Sequence, residues 1–158
     1  MDTLYAEDIG HFWKTSKAGA DKWIDKTLKL IIQHGGTPLQ SLSGMDLAKG
    51  RSAFMISFEM GGDTFKITWP VLPSKRGDNQ AARVQSATML HHTIKSRLLE
   101  AKIRGPRAAL FSFLALPSGK VAGDLAVENI EEYTEIFRAP QLTTGDEIID
   151  GSFEDQSE

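Results

Sequence analysis

Eight bases lie between Lys75 and Arg107: Lys75, Arg76, Arg83, Lys95, Arg97, Lys102, Arg104 and Arg107. Only Asp78 and Glu100 oppose them, so this segment carries a net +6. Cations gathered this densely repel one another unless an anion occupies them. The phosphates of a nucleic-acid backbone are suited to that role, through screened attraction and counterion release. The competing explanation is that long basic side chains solubilise one side of an amphipathic helix. Such a helix commonly mixes signs to gain i,i+4 pairs, and here acids are scarce. Lys95 and Lys102 stand seven residues apart and share a helix face, and Arg97 and Arg104 repeat that spacing as a row set next to the first. Trp69, beside Pro70, is the aromatic residue placed to stack on bases, as aromatic platforms do in single-strand binders.

Other chemistry finds less support. The chain has no cysteine, which removes disulfides, thiolate nucleophiles and cysteine-ligated zinc. Of the four histidines, His11, His34, His91 and His92, the last two are adjacent. Neighbours on a helix point about 100° apart, so His91 and His92 do not jointly grip one metal. His91 falls on an apolar stripe and reads as a satisfied core residue. Gly61-Gly62-Asp63 and Gly35-Gly36 lack the spacing and the following Lys-Ser/Thr of a phosphate-cradling loop. Ser43-Gly44 and Ser118-Gly119 lack the flanking glycines of a nucleophile elbow. Asp124, Glu128, Glu131, Glu132 and Glu135 read as a solvated helix face rather than a cation site. No metal, cofactor or catalytic residue is assigned. An enzyme built from scattered carboxylates and His92 stands as a distant third reading.

These candidates need elements to hold them. Asp8 can cap a short turn through Ile9, Phe12 and Trp13. A helix follows over about Ala18–His34, with Ala20, Trp23, Ile24, Leu28 and Ile31 as its apolar stripe and Gly35-Gly36 as its stop. Thr37 to Gly50, rich in Ser, Gly and Pro, reads as a connector. Phe54, Ile56, Phe58 and Met60 then alternate with Met55, Ser57 and Glu59, and Phe65, Ile67 and Trp69 with Thr64, Lys66 and Thr68, around a Gly-Gly-Asp turn. That pattern is a hairpin signal. With Gly61-Gly62 as the loop, Phe58 faces Phe65, Ile56 faces Ile67 and Phe54 faces Trp69; the alternative Gly62-Asp63 loop sets Glu59 opposite Lys66. Both keep the aromatic residues on one face, where Phe58 and Phe65 read as core.

Pro70 and Pro73 end the second strand, and Lys75–Gly77 forms a basic loop. Asp78 is the N-cap of a helix reaching Arg104, its stripe formed by Val84, Ala87, His91, Ile94, Leu98 and Ala101 and its stop by Gly105-Pro106. The apolar run Arg107–Leu116 fits a central strand, with a buried helix as the alternative. Val121 can begin a short return strand. Asn129 and Glu132 have capping-box spacing for a helix ending before Pro140.

The expected fold is α+β: a small antiparallel sheet, the hairpin plus one or two further strands, packed on a long central helix and an N-terminal helix. Residues 1–140 form one domain and 141–158 an acidic tail, expected to be disordered. With 158 residues, one core is the natural count. A hairpin followed by a basic, Ala-rich helix, over Gly50–Gly105, is similar in organisation to the core of single-strand-annealing recombination proteins. The segment from Asp124 to Glu158 carries a net −10, leaving the whole chain at −3. Ile148, Ile149 and Phe153 are apolar anchors within it. Acidic tails with an apolar tip are common among single-stranded-DNA-binding proteins, although this ending lacks their usual terminal Pro-Phe.

The reading is a non-enzymatic, cytoplasmic, homo-oligomeric protein that binds nucleic acid, single-stranded DNA before others, in DNA metabolism or recombination. The eight bases and Trp69 form the site. The alternative is an assembly subunit that oligomerises by docking its acidic tail on a neighbour's basic strip. No apolar run approaches the ~20 residues of a membrane span, and Met1 to Gly10 carries acids without a basic-then-apolar pattern, so secretion is not expected.

Overall fold

A computed structural model describes residues 2–14, 17–46 and 51–130. The elements in order are α1 (Ala6–Ile9), α2 (Ala20–Gln33), β1 (Thr37–Asp46), β2 (Arg51–Met60), β3 (Asp63–Pro70), α3 (Asn79–Arg104), α4 (Pro106–Leu110), a 3₁₀ turn over Phe111–Phe113, and α5 (Ala122–Glu128). The three strands form one antiparallel sheet in the order β1-β2-β3. A compact unit runs from Met1 to Ala122, and the residues after it are a second unit.

The hairpin follows from alternation. Period-two spacing puts Phe54, Ile56, Phe58 and Met60 on one face of β2, and all four are buried. Phe58 pairs with Phe65, Ile56 with Ile67 and Phe54 with Trp69, the register of a Gly61-Gly62 loop. Both glycines have positive φ, 59° and 83°, as a type I′ turn demands. The Phe58 and Phe65 rings meet at 5.7 Å, and both residues have no solvent exposure. The buried sheet face meets Ile24 and Ile31 of α2 and Ala87, Leu90, Ile94 and Leu98 of α3 in one core.

The first departure from the sequence reading is Thr37–Asp46. It forms the edge strand β1 rather than a connector. Its side chains from Leu39 to Gly44 are exposed, so no apolar alternation marks it; its pairing with β2 rests on the backbone. A bulge between Pro38 and Gln40 interrupts the register, consistent with a residue that cannot donate to the ladder.

The second is Arg107–Leu116, expected as a central strand. Pro106 starts α4 at its first turn and a 3₁₀ turn completes it, because proline's fixed φ suits a helix start. Only the bridges Phe65↔Leu114 and Ala115↔Val121 remain of the expected strand and its return. The sheet's third strand is β1. Asp8 is not the cap of a following turn but lies inside α1, where its Oδ2 accepts from Tyr5 N–H at 3.0 Å. Asn129 follows α5, its side-chain amide donating to Leu125 O at 2.8 Å, and the helix expected from it falls mostly on residues outside those described. Glu131 to Pro140 and the acidic tail lie outside the described residues.

The long helix forms as expected. Asp78 Oδ1 accepts from Ala81 N–H at 3.1 Å, capping an orphan donor. Its N-terminal half is buried almost all round: Ala82, Val84, Gln85, Ser86, Ala87 and Thr88 are all inside. Gln85 Nε2 donates to Ala6 O at 2.8 Å and His11 O at 3.1 Å, and Ser86 Oγ to Pro70 O at 2.9 Å. The N-terminal segment and β3 thus cover it. Its C-terminal half buries only Ile94 and Leu98, and that is where four of the bases project.

Candidate nucleic-acid interface

The bases fall into three groups with different partners. Lys75 and Arg76 occupy the turn before α3, where α1 docks. Lys75 Nζ pairs with the Asp8 carboxylate and lies 5.4 Å from the centre of the Tyr5 ring. Glu7 accepts from Ser74 Oγ at 2.7 Å and from the backbone N–H of Lys75 and Arg76 at 3.1 and 3.3 Å. Burial raises the Glu7 pKa, but those hydrogen bonds outweigh it and hold the carboxyl at about 2. The basic loop is thereby used, in part, to seat the chain's own N-terminal helix.

Arg83 forms a second kind of contact. Its Nη2 donates to Ser43 Oγ at 2.9 Å, and its guanidinium lies 5.0 Å from the Phe54 ring centre. It ties α3 to the edge strand.

The remaining bases divide across α3 and its exit. Residues two apart on a helix differ by about 200°, so Lys95 and Arg97 point about 160° apart. The two seven-residue rows therefore lie on opposite flanks, with buried Ile94 and Leu98 between them, and not next to each other. On one flank, Glu100 accepts from Arg97 Nη1 at 3.1 Å and from Arg104 Nη1 at 2.9 Å. Arg107, beyond the helix, grips Asp63 through Nε and Nη2 at 2.8 and 2.9 Å. That bidentate bond holds the Asp63 carboxyl below its usual range. Arg104 and Arg107 line an open groove of about 690 Å³ with Gly61, Pro106 and Phe111. On the opposite flank, Lys95 and Lys102 are exposed, and no carboxylate among the described residues pairs with either.

That lysine flank borders α2. His91 is buried, and its Nδ1 lies 2.9 Å from Thr27 Oγ1. Thr27 already donates its hydroxyl proton to Trp23 O at 2.8 Å, so the imidazole N–H is the donor to Thr27. Burial lowers the His91 pKa, and the neighbouring charges of His92, Lys95 and Lys26 lower it further. His92 is exposed and stacks on Phe12, with ring centres 5.1 Å apart and planes 18° from parallel. Trp23 lies 5.8 Å from His92, and Lys26 Nζ sits 4.5 Å from the Trp23 ring centre.

Trp69 is not a free platform. It is partly buried against the core and lines a cavity of about 310 Å³ with Leu4, Ile9, Leu72 and Met89. The aromatic groups beside exposed cations are instead Phe12, Trp23 and His92. Sequence reasoning missed them because they meet only when α2 and the segment before it pack along α3; the His91-His92 pair, with one residue inside and one outside, was the available hint. Among the described residues no group of three His, Asp or Glu could hold a metal ion, and no helix is long and apolar enough to cross a membrane. No family model, curated protein or solved structure matches the chain.

Proposed function

We propose that the protein binds nucleic acid without catalysing a reaction, preferring single strands, and works as an oligomer in DNA metabolism. The observation that carries this reading is the lysine flank of α3. Lys95 and Lys102 are exposed, stand two turns apart and face no carboxylate among the described residues. The C-terminal half of the helix holds Lys95, Arg97, Lys102 and Arg104 against Glu100 alone, so the surface is cationic even where it is paired. Cations near a helix C-terminus also complement the helix dipole. That effect is confined to the last turn, which accounts for Lys102 and Arg104 but leaves Lys95 unexplained.

Arg97, Arg104 and Arg107 contribute as donors already oriented by Glu100 and Asp63. Lys75 and Arg83 act mainly inside the molecule, while the Arg76 side chain remains exposed near the helix start. Trp69 contributes little to stacking in this reading. The test is oligonucleotide binding at several salt concentrations. Each phosphate neutralised on a single strand contributes a log–log slope of about −0.7, so an interface of about three cations gives a slope near −2. Binding that ignores salt rejects the proposal.

A further inference from the structure

We infer that the strand is taken by the α2–α3 seam, with Lys26, Lys95 and Lys102 on its phosphates and the Phe12–His92 stack receiving a base, while the arginine flank stays peripheral. This rests on the nucleic-acid reading and adds where the strand lies and what selects single strands.

Three observations support it. First, the cations differ in availability. Arg97 and Arg104 share Glu100, and Arg107 is held by two bonds to Asp63. A phosphate approaching them competes with a carboxylate already in place. Lys95 and Lys102 have no such competitor among the described residues.

Second, the seam gathers charge from two elements far apart in sequence. Lys26 of α2 sits over the Trp23 ring, itself 5.2 Å from His91, and Lys95 stands one turn beyond His91 on α3, so the two lysines flank the same spot. Lys102 continues the row about 10.5 Å further along the helix. Cations along a groove in this manner track a backbone.

Third, the same seam carries aromatic surface. His92 is exposed although Phe12 stacks on it, and Trp23 lies beside it under the Lys26 ammonium. Bases offer π-faces only when unpaired, so a ring stack between cations favours single strands over duplex. An acidic peptide would satisfy the lysines but gain nothing from the rings.

The experiment uses the full chain and a labelled oligothymidylate of about 20 nucleotides, a length that spans one to a few binding modules. Two variants are compared with wild type: Lys26→Gln/Lys95→Gln/Lys102→Gln, and Arg97→Gln/Arg104→Gln. The lysine variant is expected to lose about 2 units of salt slope, and the arginine variant clearly less. His92→Ala, an exposed position whose fold is checked by circular dichroism, is expected to weaken binding about tenfold with the salt slope unchanged. Equal or greater loss in the arginine variant overturns the inference, as does a His92→Ala protein that binds like wild type. Poly-glutamate binding as tight as the oligonucleotide also overturns it. If wild type itself shows no salt-dependent binding, the nucleic-acid reading fails first, and the two failures are told apart.

Discussion

Thr27 and His91 meet across the α2–α3 contact at 2.9 Å, and the threonine's own bond to Trp23 O makes the imidazole the donor. This buried polar link joins the two long helices and sits beneath the proposed seam. It joins residues 64 positions apart and needs only a neutral ring.

His91 therefore predicts a pH dependence. Burial lowers its folded pKa below the ordinary histidine value of about 6.5, with His92, Lys95 and Lys26 adding to the effect. The unfolded chain binds the extra proton first as pH falls. Stability is full above the unfolded value and is lost as pH drops below about 6.5 towards the lower folded value. Thermal melts at pH 7.5 and 5.5 should show a lower midpoint in acid, and His91→Gln should narrow the difference. An unchanged difference in the variant would show that other groups carry it.

Glu7 acts at still lower pH. Its folded pKa of about 2, against 4.5 ordinarily, contributes stability above pH 4.5 that is lost as pH falls through the interval to about 2. Glu7→Gln should unseat α1 from the Ser74–Arg76 turn. Hydrogen exchange at Lys75 and Arg76, whose N–H groups Glu7 accepts, should quicken.

Gly36 and Gly62 give a paired test of packing against backbone strain. A Cβ on Gly36 would lie 2.6 Å from Ile31 Cγ2 and 2.9 Å from Met60 Cε. Gly36→Ala should therefore cost about 1–3 kcal/mol by overpacking. Gly62 has open space around it but φ of +83°, so Gly62→Ala should cost about 1–2 kcal/mol through conformation alone. Denaturant melts of the two variants, with Phe58→Ala as a core reference at about 3–5 kcal/mol, would test this order.

How much of this was readable beforehand differs by element. The register pairing Phe58 with Phe65 was legible because apolar residues repeat every second position around two glycines. The bounds of α3 were legible in Asp78 and Gly105-Pro106. β1 was not: Gln40, Ser41, Ser43 and Gly44 point to solvent, so its side chains record no sheet, and only backbone pairing with β2 defines it. Phe111 and Phe113 misled for the opposite reason, since a continuous apolar run has no period to separate strand from helix; Pro106 was the deciding residue. Among the site residues, helix arithmetic alone separates Lys95 from Arg97. The partners of Arg107, Lys75 and His92 lie 44 to 80 positions away in the chain, beyond the reach of local pattern.

The acidic segment separates the two functional readings. Removing Gln141–Glu158 takes away six acids. If the seam binds nucleic acid and the tail competes for it, oligonucleotide affinity rises, most visibly at low salt. If tail and basic strip instead join neighbouring copies, the truncated chain loses its assembly in sedimentation without gaining affinity for DNA.

The decisive measurement is equilibrium binding of the intact chain to matched single- and double-stranded oligonucleotides between about 50 and 200 mM salt. The expected result is a linear fall of log K with log salt, near −0.7 per phosphate engaged, and tighter binding to the single strand. Absent binding at the lowest salt, or an affinity indifferent to salt, contradicts a role for Lys95 and Lys102 in holding a polyanion.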